Sequence, residues 1–429
     1  MINRVVTNVC HSMTFIARHH SLSLCFPKHR PFVRCLSTAC EPRHMITDTF
    51  RTQESHPSQH SSQHLAMFYT IPPELANRLF ILGGWDRQQQ NAFKTFNETS
   101  IMVRSPALEV FEYLKRADYS RPVNRYVFFG PIGSGKTYTL NHILHFGFEH
   151  KFLLLYCPNP SDWVRYPEET AQSQHKVERI DTPIDAAVWL QLFRTHNSHL
   201  LDELDLRASK QYVWSQREVT EAGDPLKNIL EHGINRIKHA SDCMAVLIKE
   251  IKTQSSSQKF KTLVIVDKVN AFYEKSKIKY PDRSLVDIDN ITIARAFKKL
   301  FTNDWSNGAV VVSVCKKLIV PYRIFNFPAP LKKVNTRTRR QLDAEPMTAK
   351  HLSDLPQDLL TNLGFKDFDP FVPIEVTLYD DKEMESCLNY YTDRKWIQRT
   401  AAKSREGRNE IKFLTGFNPL ETYEFTSAL

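Results

Sequence analysis

Hydrophobic and polar positions along this chain follow two periods. Four short runs, at 126–129, 152–157, 262–266 and 309–314, are apolar at nearly every position, the pattern of strands covered on both faces. Between them, apolar residues recur at helical spacing. Leu140, Ile143 and Leu144 share one face of a helix predicted over 137–146, with Gly147 as its stop. A second helix is predicted over 290–301. Asp185 to Lys252 reads as helical throughout, through Trp189, Leu190, Phe193, Leu200 and Leu204 and later Ile229, Ile237, Val246, Leu247 and Ile251, and Ser255 to Gln258 breaks the pattern before the next strand. Strands alternating with helices predict an α/β fold built on an open, doubly wound parallel sheet, whose ligands bind at the C-terminal edge of the strands.

The flanks are patterned differently. Tyr69-Thr70-Ile71-Pro72-Pro73 reads as extended, the segment up to Phe96 as helical, Ile101 to Arg104 as strand-like, and Pro106 to Leu114 as helical through Leu108, Phe111 and Leu114. Asp381 to Ile397 predicts a helix with Met384, Cys387, Leu388 and Tyr391 turned inward, read as core packing and not as a site.

Composition adds the compartment and class. At 429 residues and 41% hydrophobic content the chain buries a sizeable core, and its longest apolar runs fall far short of the ~18 residues that a membrane span needs. The first forty residues carry Arg4, Arg18, Lys28, Arg30 and Arg34 and no acid before Glu41, the composition of a mitochondrial presequence, with a basic arm that stays attached as the alternative. Those five residues supply half of the formal net charge of +10. The remaining excess suits phosphate-rich partners such as RNA, or an anionic membrane surface, without selecting between them. Cys157, Cys243, Cys315 and Cys387 are isolated, so neither a zinc site nor a disulfide framework is indicated. His56, His60 and His64 fall in a Ser/Gln/His-rich stretch and read as linker. The expected organisation is a presequence over 1–40, a disordered linker over 41–66, an N-terminal extended and helical arm over 67–120, a nucleotide-binding domain over 121–325, and a C-terminal α/β extension with a basic loop and terminal helix over 326–429.

The candidate chemistry lies directly behind the first apolar run. Gly130-Pro131-Ile132-Gly133-Ser134-Gly135-Lys136-Thr137 is a complete phosphate-binding loop. Its glycines let successive backbone N–H groups converge on phosphate oxygens, Lys136 reaches the terminal phosphates, and Thr137 offers a hydroxyl to Mg²⁺. Leu263-Val264-Ile265-Val266-Asp267 is the matching second half, with Asp267 as a metal-side carboxylate at the strand end. Hydrolytic relatives of the AAA+ type place a glutamate next to activate water, and here Lys268 stands instead, so no catalytic residue is assigned and turnover is expected to be slow or absent. Ser313 is either a polar sensor of the γ-phosphate or a solvated strand-end serine. No Asn-Lys-x-Asp guanine-reading signature is present, so base preference does not follow from the residues. Lys332, Lys333, Arg337, Arg339 and Arg340 crowd a segment without periodicity and are candidate RNA-backbone contacts, or a solvated basic loop.

The chain resembles the death-associated-protein family, the GTP-binding proteins of the small subunit of the mitochondrial ribosome. The resemblance runs from about His64 onward and rests on Tyr69 to Pro73, Met102-Val103-Arg104 with Pro106 to Glu109, the phosphate loop, Tyr212-Val213-Trp214, Val266-Asp267 with Asn270-Ala271, Asn303-Asp304-Trp305, Asp369-Pro370-Phe371 and Glu385-Ser386-Cys387. It implies a P-loop NTPase domain of AAA+-like lineage in the head of the small subunit, contacting ribosomal RNA and neighbouring proteins and facing the large subunit. GTP or GDP with Mg²⁺ is implied as a largely structural ligand, held by Gly130 to Thr137 and Asp267, with Met102, Val103 and Arg104 against the base. Lys268 departs from a glycine common in the family, and Cys315-Lys316-Lys317 is an unusual continuation after Ser313. The alternative is a P-loop NTPase that acts as a switch in cell-death signalling, or a free matrix ATPase or GTPase.

Overall fold

The computed structural model describes residues 49–257, 259–318 and 353–429. Five parallel strands form the central sheet: β1 (Asn124–Phe129), β2 (Leu153–Cys157), β3 (Thr262–Val266), β4 (Gly308–Ser313) and β5 (Val372–Glu375), in the spatial order β5-β1-β4-β3-β2. β4 therefore lies between the strand that feeds the phosphate loop and the strand that ends before Asp267. Its Val311 faces Tyr126 on one side and Ile265 on the other. Every residue of β2, β3 and β4 is buried, which is why these strands read as unbroken apolar runs. β5 was not foreseen. As an edge strand of sequence Val-Pro-Ile-Glu it buries only Ile374, and its proline is tolerated because one side of the strand has no ladder to complete.

The helices that matter below are α1 (Arg87–Phe96), α2 (Ser105–Arg116), α3 (Lys136–Glu149), α4 (Pro183–Glu203), α5 (Leu226–Asn235), α6 (Ala240–Ser255), α7 (Thr292–Lys298), α8 (Asp381–Asp393), α9 (Arg405–Thr415) and α10 (Pro419–Thr426). This is the expected α/β architecture, an open parallel sheet with flanking helices and the phosphate loop at the end of β1.

Several local expectations are corrected. Gly147 does not stop α3, which continues to Glu149. A Cβ at Gly147 would stand 2.5 Å from Leu263 Cδ2 and 3.0 Å from Leu154 Cδ2, so the glycine lets the helix lie close on the sheet. The stretch 185–252 is not helical throughout: Tyr212–Val213 and Val219–Thr220 pair as a small antiparallel hairpin between α4 and α5. α7 is shorter than 290–301, although Leu300 and Phe301 beyond it stay buried. α8 ends at Asp393, and Lys395 takes a left-handed conformation that turns the chain before buried Ile397.

The described part of the expected linker is folded. Pro57–Gln59 and Ser62–His64 are single 3₁₀ turns, and His60 is buried with its Nδ1 2.9 Å from His142 Nε2 of α3. Nor do the arm and the C-terminal extension stand apart. An antiparallel ribbon of Phe68–Ile71 with Thr99–Met102 joins α1 and α8 in a second apolar core, where Phe68, Phe96 and Met102 meet Met384, Leu388 and Tyr390. That core forms one wall of the cavity described next.

Candidate functional site

The site grows from the C-terminal edge of β1. Gly130, Gly133 and Gly135 all have positive φ, at 134°, 84° and 100°. At the first two a side chain is excluded twice over, since a Cβ would lie 2.4 Å from Val376 O or 2.3 Å from Asn418 Oδ1. The loop delivers Lys136 and Thr137 to the first turn of α3, so the positive end of the helix faces the same space. A cavity of about 280 Å³ opens there, lined by the loop from Ile132 to Thr137, by Asp267, Lys268 and Ser313, and by aromatic residues of α1 and α8.

Lys136 is 9% exposed, and its Nζ donates to the carbonyls of Gly130 and Pro131, both at 2.7 Å. Burial pulls its pKa below the usual lysine value, with Cys315 and Asp267 opposing. Ser134 Oγ, fully buried on the cavity lining, has no hydrogen-bond partner among the described residues. An unpaired hydroxyl beside a buried ammonium and a helix N-terminus suits an anion with several acceptor oxygens, such as a polyphosphate.

On the metal side, Thr137 Oγ1 donates to Asp267 Oδ2 at 2.8 Å. The parallel register of β3 and β4 sets Ser313 beside Asp267, and its Oγ donates to Asp267 Oδ1 while accepting from the Lys268 N–H at 2.8 Å. Ser313 is fully buried, so the solvated strand-end reading is overturned; its hydroxyl orients the carboxylate. Lys268 takes a left-handed backbone, φ 58°, and its Nζ lies 3.7 Å from Asp267 Oδ2, which is the first cause of its raised pKa. Asn270 then pins the chain after Ser313 by exchanging two hydrogen bonds of 3.0 Å with the backbone of Cys315.

The three residues expected against a base are split. Met102 and Arg104 line the cavity, whereas Val103 is buried in the core, with its N–H bonded to Met67 O. Arg104 is fully engaged elsewhere: it grips Glu383 of α8 through Nε and Nη2, each at 2.9 Å, and donates Nη1 to Ser134 O at 2.6 Å. It is a tie between loop and α8. α8 itself, expected to be core alone, places Tyr390 and Tyr391 on the cavity wall, where Tyr379 and Tyr423 also stand. These aromatic positions were missed because nothing local separates a tyrosine that packs from one that lines a cavity. Lys332, Lys333, Arg337, Arg339 and Arg340 lie outside the described residues, as do residues 1–48.

Among the described residues, one group has metal-ligand character outside the cavity, Glu218, His232 and His239. Its ligand atoms lie within 4.8 Å of one another, but Glu218 is already paired with Arg236 at 2.9 Å, and a guanidinium beside the group opposes a divalent cation. Cys157, Cys243 and Cys387 are buried. No helix among the described residues is long and apolar enough to cross a membrane.

Comparison with known proteins places these features in a family context. The family model described as "Mitochondrial ribosomal death-associated protein 3" matches residues 101–423, which include the phosphate loop, Asp267, Ser313 and the cavity-lining tyrosines of α8. A protein of Bos taurus named "Small ribosomal subunit protein mS29" is 35% identical over 371 residues, covering 86% of this chain and 85% of its own. Its namesake in Mus musculus is 35% identical over 379 residues, covering 88% and 89%. A chain of the solved E. coli MS115-1 HORMA:CdnC:Trip13 complex aligns with 84% of this chain and 94% of its own at 10% identity and a TM-score of 0.24, a likeness too faint to bear on the fold.

Proposed function

Since the chain belongs to the mitochondrial ribosomal death-associated protein 3 family, we propose that it serves as a structural protein of the small subunit of the mitochondrial ribosome, in the matrix, and keeps a guanine nucleotide with Mg²⁺ in the cavity as part of its fold. Contact with ribosomal RNA, with neighbouring ribosomal proteins and with the large subunit belongs to the same reading. The preference for GTP or GDP over ATP rests on family resemblance. Phosphate binding rests on the loop, on buried Lys136 and on the unpaired Ser134 hydroxyl.

The residues present fit the metal as well. Thr137 and Asp267 would hold Mg²⁺, which supplies charge neutralisation at phosphate oxygens when bound, and Ser313 keeps the carboxylate oriented. The observation that carries the structural role is at position 268. Where a hydrolytic site needs a base, this chain puts an ammonium 3.7 Å from Asp267. Asp86, the other carboxylate among the described residues of the cavity lining, is committed as the N-cap of α1, where it accepts from the Gln89 N–H. Among the described residues of the cavity lining, neither carboxylate is left free to take a proton from water.

The test is sedimentation of a mitochondrial lysate at low and high salt, probing for this chain and for small-subunit ribosomal RNA. Co-migration that survives high salt is expected. A free species at about the 49.9 kDa chain mass, hydrolysing GTP or ATP several times per minute and losing that turnover with Lys136→Ala, would replace this reading by that of a switch or free NTPase.

A further inference from the structure

The carbonyls of Ile132, Gly133 and Ser134, three in succession on the phosphate loop, are all held by groups outside the nucleotide-binding core. Asn418 Nδ2 donates to Ile132 O at 2.8 Å, the Leu420 N–H to Gly133 O at 3.3 Å, and Arg104, itself gripped by Glu383 of α8, to Ser134 O. Asn418 is also the N-cap of α10, its Oδ1 accepting from Leu420 and Glu421. One side chain thus starts the helix and fastens it to the loop. Pro419, Leu420 and Tyr423 then close that side of the cavity.

Polar contacts fasten this cover to the loop, and on its other side Tyr423 stacks on Trp396 with ring centroids 5.1 Å apart. The buried residues of α10 are two threonines, Thr422 and Thr426, while Phe425 on the same helix is 38% exposed and Phe413 of α9 is 85% exposed. An element with no fully buried apolar side chain opens at lower free-energy cost than the core. We propose that residues 418–426 are a clasp over the nucleotide, and that nucleotide leaves only when the clasp releases the phosphate loop. This rests on the nucleotide reading above and adds to it a route of control: whatever engages α10 on the assembled particle sets the residence time of the nucleotide. By linkage, nucleotide must in turn hold the clasp closed.

The experiment loads the full chain with a fluorescent GDP derivative and follows its release into excess GDP, for wild type and Asn418→Ser. Serine retains the N-cap acceptor but is too short to reach Ile132 O. Release from the variant is expected to be about five- to tenfold faster, the effect of one lost hydrogen bond. In parallel, backbone hydrogen exchange over 418–426 of wild type is expected to slow when GDP is added. Equal release rates, or exchange over 418–426 indifferent to GDP, would overturn the clasp while leaving the nucleotide reading intact. Failure of wild type to retain the probe at all would overturn both. Should Asn418→Ser not fold, the wild-type exchange experiment decides alone.

Discussion

Lys136 serves two structural demands at one position. Its ammonium lines the cavity, yet both of its hydrogen-bond partners are loop carbonyls, so it stabilises the curled loop as well as any phosphate. Lys136→Ala should therefore weaken nucleotide binding and also lower stability by about 1–2 kcal/mol, because two carbonyls lose a charged donor. Urea unfolding of the nucleotide-free variant checks this; unchanged stability would mean that the lysine acts on ligand only. Asp267 is comparable, since one carboxylate accepts from Thr137 and Ser313 and faces Lys268. The motif residues Gly130 to Thr137 and Asp267 were legible from spacing alone, because the chemistry of phosphate and Mg²⁺ dictates residue type at fixed offsets. Ser313 was legible only as two alternatives, and the choice came from its strand neighbour.

Among the elements, α3 carries a second feature on its far side from the loop. His142 and His145 of α3 and His60 of the preceding turns are buried around Tyr69, whose hydroxyl lies 3.3 Å from His145 Nδ1. Burial lowers all three, His60 to about 4, His145 to about 3 and His142 well below its ordinary value, with neighbouring histidines adding to the shift. Neutral in the folded chain, these groups take up protons on unfolding below pH 6.5. Stability is therefore fully present above the ordinary histidine pKa and falls as pH drops from about 6.5 toward 4 and then 3, by about 1.4 kcal/mol per pH unit for each histidine. Urea midpoints at pH 7.5 and 5 measure it, and His60→Gln should flatten the slope. His60 was read as linker because polar, Ser/Gln-rich neighbours mask a residue that packs against a helix more than eighty positions away.

Taken whole, the molecule joins its first and last described segments around one cavity. Phe68 and Met102 of the ribbon, Phe96 of α1 and Tyr390 of α8 pack together, and α10 touches the phosphate loop. A ligand bound there is tied into both cores, so it should stabilise the entire chain and not the loop alone. For a resident nucleotide the expected gain is RT ln(1 + [L]/Kd), about 2.7 kcal/mol at a hundredfold excess over Kd. Thermal unfolding with and without GDP and Mg²⁺ tests this, and a midpoint indifferent to nucleotide would contradict a structural ligand.

Period and motif sufficed for the buried strands, for the α/β class and for the phosphate loop, since a strand covered on both faces has to be apolar throughout and a polyphosphate needs glycines, lysine and a hydroxyl in order. Long-range pairing lay beyond them. Edge strand β5, the Arg104 tie to Glu383, the aromatic wall of α8 and the Asn418 contact each join residues more than two hundred positions apart. Such contacts leave no local period, because their partners are selected by where the folded sheet brings the chain back, and that was set by tertiary packing.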